Sequence, residues 1–158
     1  MSSCIIYIMK TDNKVMDPLS PYSMALKKIE ESGIRPTKQR RVLAKLLFQK
    51  GDRHISAENL FDEVKKEDRK ISMATIYNTL KQFTSLGLIK EIVVDQNRSL
   101  YCTNNKSHYH LYIEDEGAIH DVPTKNINLD IPSFPACLTL HNIDVIVRVR
   151  SQKNKKKN

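Results

Sequence analysis

"SMATIYNTLKQFTSLGLIKEIVVDQNRSLYCT", residues 72–103, changes its hydrophobic period halfway along. Ser72 is a favourable N-cap, and Ile76, Leu80 and Phe83 follow at i, i+4 and i+7, the spacing of one buried helix face, until Gly87 stops the pattern. Beyond the glycine, "LIKEIVVD" and "SLYCT" are rich in β-branched and aromatic residues and are joined by the polar "QNR", which predicts a hairpin. The helix face opposite the apolar stripe carries Ala74, Tyr77, Asn78, Lys81, Gln82 and Ser85. Surface helices are commonly dressed with Glu and Lys pairs. This one has a single lysine among hydrogen-bonding groups. Asn and Gln can read adenine edges, and Tyr or Thr can meet a thymine methyl. The face therefore suits the major groove of double-stranded DNA, with Thr75, Tyr77, Asn78 and Lys81 as candidate contacts.

Three further helices are predicted upstream. In "RPTKQRRVLAKLLFQKGD", Thr37 caps a helix whose apolar face is Val42, Leu43, Leu46 and Leu47, with Lys38, Arg40, Arg41 and Lys45 pointing elsewhere. Ser56 caps the next, with Glu58 in its first turn, where the helix dipole favours an anion, and Leu60, Phe61 and Val64 buried. Ahead of both, a short helix runs from Ser23 through Met24, Leu26 and Ile29 to Ser32-Gly33, and Pro18 and Pro21 read as breaks before it. Helices in series followed by a two-stranded hairpin make a winged helix-turn-helix, with the hairpin as the wing. The competing readings of the same pattern are a small helical domain with a structural hairpin, or a winged helix that binds protein.

The rest of the chain has a different texture. "HYHLYIED", "AIHDVP" and "LTLHNIDVIVRVR" alternate like strands, and the last predicts a long central strand carrying Leu140, Ile143, Val145, Val147 and Val149. A small mixed sheet of this size gains from pairing with a copy of itself, so a homodimer is expected, and a two-fold axis would set two recognition helices on a palindromic operator. The expected fold class is α+β. A poorly ordered leader spans 1–21, a winged-helix DNA-binding domain 22–103, a small mixed α/β dimerisation and sensing domain 104–150, and a basic tail 151–158. Met9, Met16 and Met24 are alternative starts.

Charge follows this division. Residues 22–102 hold sixteen basic against ten acidic side chains, residues 103–147 two against six, and the last eleven six against none. The basic first half suits a polyanion; the tail is either a further DNA contact or a solvated terminus. No apolar run approaches the roughly 20 residues of a membrane span, and "CIIYIM" is shorter than a signal-peptide core. Cys4, Cys102 and Cys137 are odd in number and lack CxxC spacing, as suits a reducing cytoplasm rather than a disulfide framework. Four glycines form no phosphate-cradling loop, and no nucleophile stands with a base, so neither an enzyme nor a small-molecule substrate is expected.

One stretch remains, "NNKSHYHLYIEDEGAIHD", residues 104–121. On a strand, His108 and His110 point to one face and both imidazoles can reach one ion, although an isolated HxH is more often polar strand surface. Glu114, Asp115 and Glu116 read as a solvated turn.

In order, "GIRPTKQRRVLAKLLF", "HISAENLFDEV", "SMATIYNTLKQFTSLGLIKE" and "SHYH" resemble the ferric uptake regulator superfamily over roughly residues 24–150, and "TIYNTLKQFT" with the ending "HNIDVIVRVR" looks most like its iron response regulators. The resemblance implies a homodimeric, DNA-binding regulator of iron and haem genes. In it Tyr77 matches a base-contacting tyrosine, and Thr37, Lys38 and Arg40 match a basic helix start near the DNA backbone. It further implies a regulatory site for a divalent ion, iron, manganese or zinc, on His54, His108, His110 and Asp121. Cys102 stands where an acid is usual; a thiolate there favours softer metals such as zinc, or Cys102 is a small buried residue outside the ligand set. The thiolate pairs of the family's structural zinc are missing, Ile113 and Glu116 holding the first pair's positions. The chain has no Cys-Pro haem motif, only the reversed "PAC", which leaves His108 and His110 as candidate haem ligands; His141 is a remnant of a second metal site. Two rivals stand beside a metal- or haem-responsive regulator: a peroxide sensor of the same fold, and a metal- or haem-binding interaction protein that does not read an operator.

Overall fold

The computed structural model describes residues 20–96 and 98–151. The leader up to residue 19, Cys4, the alternative starts Met9 and Met16, Asn97 of the hairpin turn, and residues 152–158 of the tail lie outside them. The chain divides between Gly51 and Asp52 into two units.

Among its described residues the first unit holds two packed helices, α1 (Pro21–Glu31) and α2 (Lys38–Phe48). Pro21 does not break the chain ahead of α1. It occupies the helix's first turn, where its missing N–H costs nothing, and Ser20 caps the helix by accepting from the Ser23 amide at 3.1 Å. Thr37 caps α2 from the side chain, accepting from the Arg40 amide at 3.3 Å, and Leu43, Leu46 and Leu47 are buried.

The second unit opens with a strand of two residues, β1 (His54–Ile55), followed by α3 (Ala57–Lys66), α4 (Met73–Ser85) and the hairpin β2 (Lys90–Asp95) and β3 (Arg98–Cys102). Ser56 and Ser72 cap the helices, accepting from the Asn59 and Thr75 amides at 3.1 and 3.2 Å. Ile76, Leu80 and Phe83 are buried as their spacing predicts, each contributing roughly 1.5–3 kcal/mol of apolar burial. A helix, a turn, a second helix and a hairpin follow one another here as a winged helix-turn-helix requires.

Among its described residues the unit contains two three-stranded sheets. In the first, β1 adds to the hairpin in the order β1-β3-β2, all antiparallel. In the second, β4 (His108–Ile113) lies between β5 (Ala118–Pro123), antiparallel, and β6 (Ile146–Val149), parallel. The long central strand expected at the end of the chain is thus a short edge strand. The centre belongs to β4, whose alternation runs His108, His110 and Tyr112 inward and pairs on both sides. Between β5 and β6 the chain makes only a 3-10 turn, Thr124–Asn126, and leaves Leu129, Ile131, Phe134, Leu138 and Leu140 exposed.

A shared apolar cluster joins the sheets. Ile92, Val94, Leu100 and Cys102 of the wing pack with Tyr112 of β4, and Ile119 and Ile146 close its rim. Arg148 of β6 donates from Nη1 to the carbonyl of Val94 and lies over the Tyr112 ring, 5.6 Å from its centre. The wing and the second sheet are therefore in direct contact.

Candidate metal centre and nucleic-acid interface

Register brings the titratable residues together. His54 pairs with Cys102 across β1 and β3, and His110 pairs with Asp121 across β4 and β5, so two ligand pairs face each other from the two sheets. Neighbouring contacts pin β1 in place. Arg53 and Thr103 exchange hydrogen bonds, the Arg53 amide to Thr103 Oγ1 at 2.9 Å and the Thr103 amide to the Arg53 carbonyl at 3.0 Å, while the Arg53 guanidinium forks onto both oxygens of Glu63 on α3. A two-residue strand would otherwise have little to hold it.

The potential donor atoms of His54, Cys102, His108, His110 and Asp121 all lie within 4.8 Å of one another. Nε2 of His108 sits 2.9 Å from Nε2 of His110, 3.4 Å from the Cys102 sulfur and 3.4 Å from Asp121 Oδ1; Nε2 of His54 is 3.0 Å from that same oxygen. Nδ1 of His108 donates to the carbonyl of Lys106 at 2.7 Å, which leaves the Nε2 lone pair turned inward. Asn104 donates to the other oxygen of Asp121 and so aims Oδ1 at the histidines. Neither Asn104 nor Lys106 carries a signal in the sequence, since an asparagine in a polar loop and a backbone carbonyl resemble any other.

These groups fit a metal ion. His54 Nε2 is buried and, despite its proximity to Asp121, makes no hydrogen bond, a costly arrangement unless the lone pair has another partner. Bond lengths of roughly 2.0–2.3 Å to nitrogen, oxygen and sulfur ligands set any two donors at most about 4.6 Å apart, close to the spread seen here. Burial holds His54 below its ordinary pKa and His110 down at about 4, so both offer lone pairs at neutral pH. Burial also pushes the Cys102 thiol up to about 11. Haem does not fit. Axial ligands stand on opposite faces of a porphyrin, whereas His108 and His110 turn their Nε2 atoms to one another on one face of β4, buried and with no slot between them. His141 is exposed and lies outside the group.

One pH dependence follows for the metal-free protein. The unfolded chain's histidine titrates near 6.5 and folded His110 near 4, so the unfolded state binds more protons between those values. Stability should be fully present above pH 6.5 and fall progressively toward pH 4, by up to about 3 kcal/mol. Urea midpoints measured across that range should show the fall, and His110→Gln should lessen it, His54 keeping its own share.

The candidate DNA contacts fall in two places. Thr75, Tyr77, Asn78 and Lys81 lie on α4; Asn78 and Lys81 are exposed, Tyr77 is 45% exposed, and Thr75 shares a hydroxyl hydrogen bond of 2.9 Å with the cap Ser72. Thr37, Lys38 and Arg40 stand at the start of α2 in the first unit, where Lys38 is exposed and Arg40 donates to the Arg35 carbonyl at 2.9 Å. Tyr77 is not free: its hydroxyl donates to Glu58 Oε1 at 2.6 Å. That bond holds the Tyr77 pKa above its usual value and the Glu58 carboxyl below its own. In the sequence Glu58 reads only as a helix-dipole residue.

Several known proteins are similar to this chain in sequence and fold. The family model described as the ferric uptake regulator family matches residues 31–148. The peroxide-responsive repressor PerR of Staphylococcus aureus is 31% identical over 100 residues, 63% of this chain and 67% of the repressor. The structure of the ferric uptake regulator from Pseudomonas aeruginosa with manganese superposes with a TM-score of 0.62 at 19% identity, covering 82% of this chain and 98% of that one. A zinc-bound manganese uptake regulator gives 0.58 at 28% identity, covering 79% and 98%. The fold is accordingly α+β, a winged helix-turn-helix followed by a small second sheet, as in these structures.

Proposed function

The chain belongs to the ferric uptake regulator family, and from that premise we propose that it is a cytoplasmic, homodimeric transcription regulator that reads a palindromic operator under the control of a divalent metal ion. Residues 22–103 read DNA and residues 104–150 dimerise and sense. The observation that carries this reading is the origin of the five ligands. His54 stands two residues before the cap of α3 and Cys102 ends the wing, whereas His108, His110 and Asp121 belong to the second sheet. An ion held by all five would tie the start of the helix-turn-helix and the end of its wing to that sheet. Metal occupancy is then linked to operator affinity, because each state of the site favours its own placement of the reading elements.

The metal supplies charge and fixed ligand directions, and the residues decide which metal. Three imidazoles and one carboxylate suit iron, manganese or zinc, and the Cys102 thiolate moves the preference toward zinc. Dimerisation is supported by the apolar side chains between β5 and β6, which a single chain leaves in water. No described helix is long and apolar enough to cross a membrane.

Base reading rests on α4. A duplex selected from a random-sequence library should bind the metal-loaded protein with an affinity that falls steeply with salt. Tyr77→Ala should cost roughly tenfold or more of the specific affinity, the order of one mismatched base pair, and Lys81→Ala should lower the salt slope by about 0.9 for each phosphate that the lysine neutralises. Selection that recovers no motif would leave a metal-binding interaction protein instead. Similarity to a peroxide-responsive repressor favours a second reading, in which bound iron oxidises its own histidines. The buried thiol among the ligands argues against it, and mass spectrometry of His54 and His108 after peroxide treatment of the iron-loaded protein decides.

A further inference from the structure

Among the residues that line the cleft between α4 and the wing, one contact has no part in the metal centre. Glu58, in the first turn of α3, receives the only proton that the Tyr77 hydroxyl can donate, at 2.6 Å, and both side chains are exposed where α4 would face DNA. A phenol has one donor and an oxygen with acceptor capacity. With the proton committed to Glu58, what Tyr77 turns outward is its ring edge and the acceptor side of its oxygen. Arg98 lies in the same cleft and lowers the electrostatic cost of a carboxylate there.

We propose that Glu58 is a positioning residue for operator reading, which fixes the orientation and the hydrogen-bond polarity of Tyr77 and thereby selects the base that Tyr77 meets. This rests on the reading of α4 as the base-contacting helix. An outward acceptor is matched by the amino group of adenine or cytosine, and a ring edge by the thymine methyl. The guanine edge in the major groove carries acceptors only, so a tyrosine held in this way rejects guanine where a freely rotating one would accept it. Glu58 would contribute sequence preference without touching a base.

The same two residues give a bond-specific test in the full chain, loaded with zinc and separately with manganese. Wild type, Glu58→Ala, Glu58→Gln, Tyr77→Ala, Tyr77→Phe and the Glu58→Ala/Tyr77→Phe double variant are each put through selection from a random duplex library and titrated against the wild-type duplex. Glu58→Ala is expected to lower affinity for that duplex about tenfold, the order of one mismatched base pair, with binding to random duplex undiminished and with guanine newly tolerated at one position of each half-site. Glu58→Gln, whose amide oxygen still accepts the hydroxyl proton, should restore most of the preference, which a merely structural loss in α3 would not allow. The double variant should be no worse than either single one. Additive effects, or an unchanged motif from Glu58→Ala while Tyr77→Ala abolishes selection, would overturn the proposal alone. If Tyr77→Ala also leaves the motif unchanged, base reading by Tyr77 is wrong and the proposal falls with it.

Discussion

His108→Ala should lower zinc affinity by at least about a hundredfold, since even the outer partners of metal ligands are typically worth 10–100-fold. His108 meets three other members of the group: its Nε2 is 2.9 Å from His110, 3.4 Å from Cys102 and 3.4 Å from Asp121, and its ring is held from behind by the Lys106 carbonyl. Its side chain is 4% exposed, so water cannot readily take its place with the same freedom as at a surface site. A competition titration with a chromophoric chelator measures the loss. The second half of the result concerns DNA. If occupancy sets the placement of the reading elements, operator affinity of His108→Ala should be the same with and without metal, whereas wild type responds. His141→Ala, an exposed histidine outside the group, should behave as wild type in both measurements. A metal response retained by His108→Ala would remove the five-residue centre from the mechanism.

The parts of this molecule legible in the sequence are those governed by local rules. Thr37, Ser56 and Ser72 cap helices where a hydroxyl precedes an apolar 3.6-residue pattern, and the wing follows from two β-rich runs around a polar turn. The shared face of His108 and His110 follows in the same way from strand alternation. Non-local pairing is what local rules miss. β1 is two residues long and exists because its register with β3 and the Arg53 contacts hold it, so no window of sequence carries its period. For the same reason His54 and Asp121 enter the candidate site through family resemblance, not through spacing: they stand 67 positions apart and meet only when both sheets are formed. The alternation of residues 140–149 misleads because β4 already has β5 on one side and needs only four residues of β6 on the other. Glu58 shows a third kind of blindness. A glutamate in a helix's first turn has a sufficient local explanation, which hides its contact with Tyr77 nineteen residues away.

Cys102→Asp should shift the metal preference of the centre toward manganese. Cys102 is fully buried at the end of the wing, with its sulfur 3.4 Å from His108 Nε2, and burial keeps it a neutral thiol at pH 7. A metal ion bound there must displace that proton. Calorimetry of zinc binding in buffers of different ionisation enthalpy should therefore report close to one proton released per ion near neutral pH, because His54 and His110 are already deprotonated. Aspartate in this position arrives ionised or nearly so, which abolishes most of that release. It also replaces a soft donor by a hard one. Zinc affinity should fall by at least about tenfold while manganese affinity holds or rises, so the ratio between the two metals moves toward manganese. Serine separates the two effects, since it removes the thiolate without adding a charge and should weaken both metals. If instead wild type and Cys102→Asp bind zinc equally and release equal numbers of protons, the sulfur is no ligand. The site would then be held by three imidazoles and Asp121, and Cys102 would belong only to the apolar cluster that joins the wing to the second sheet.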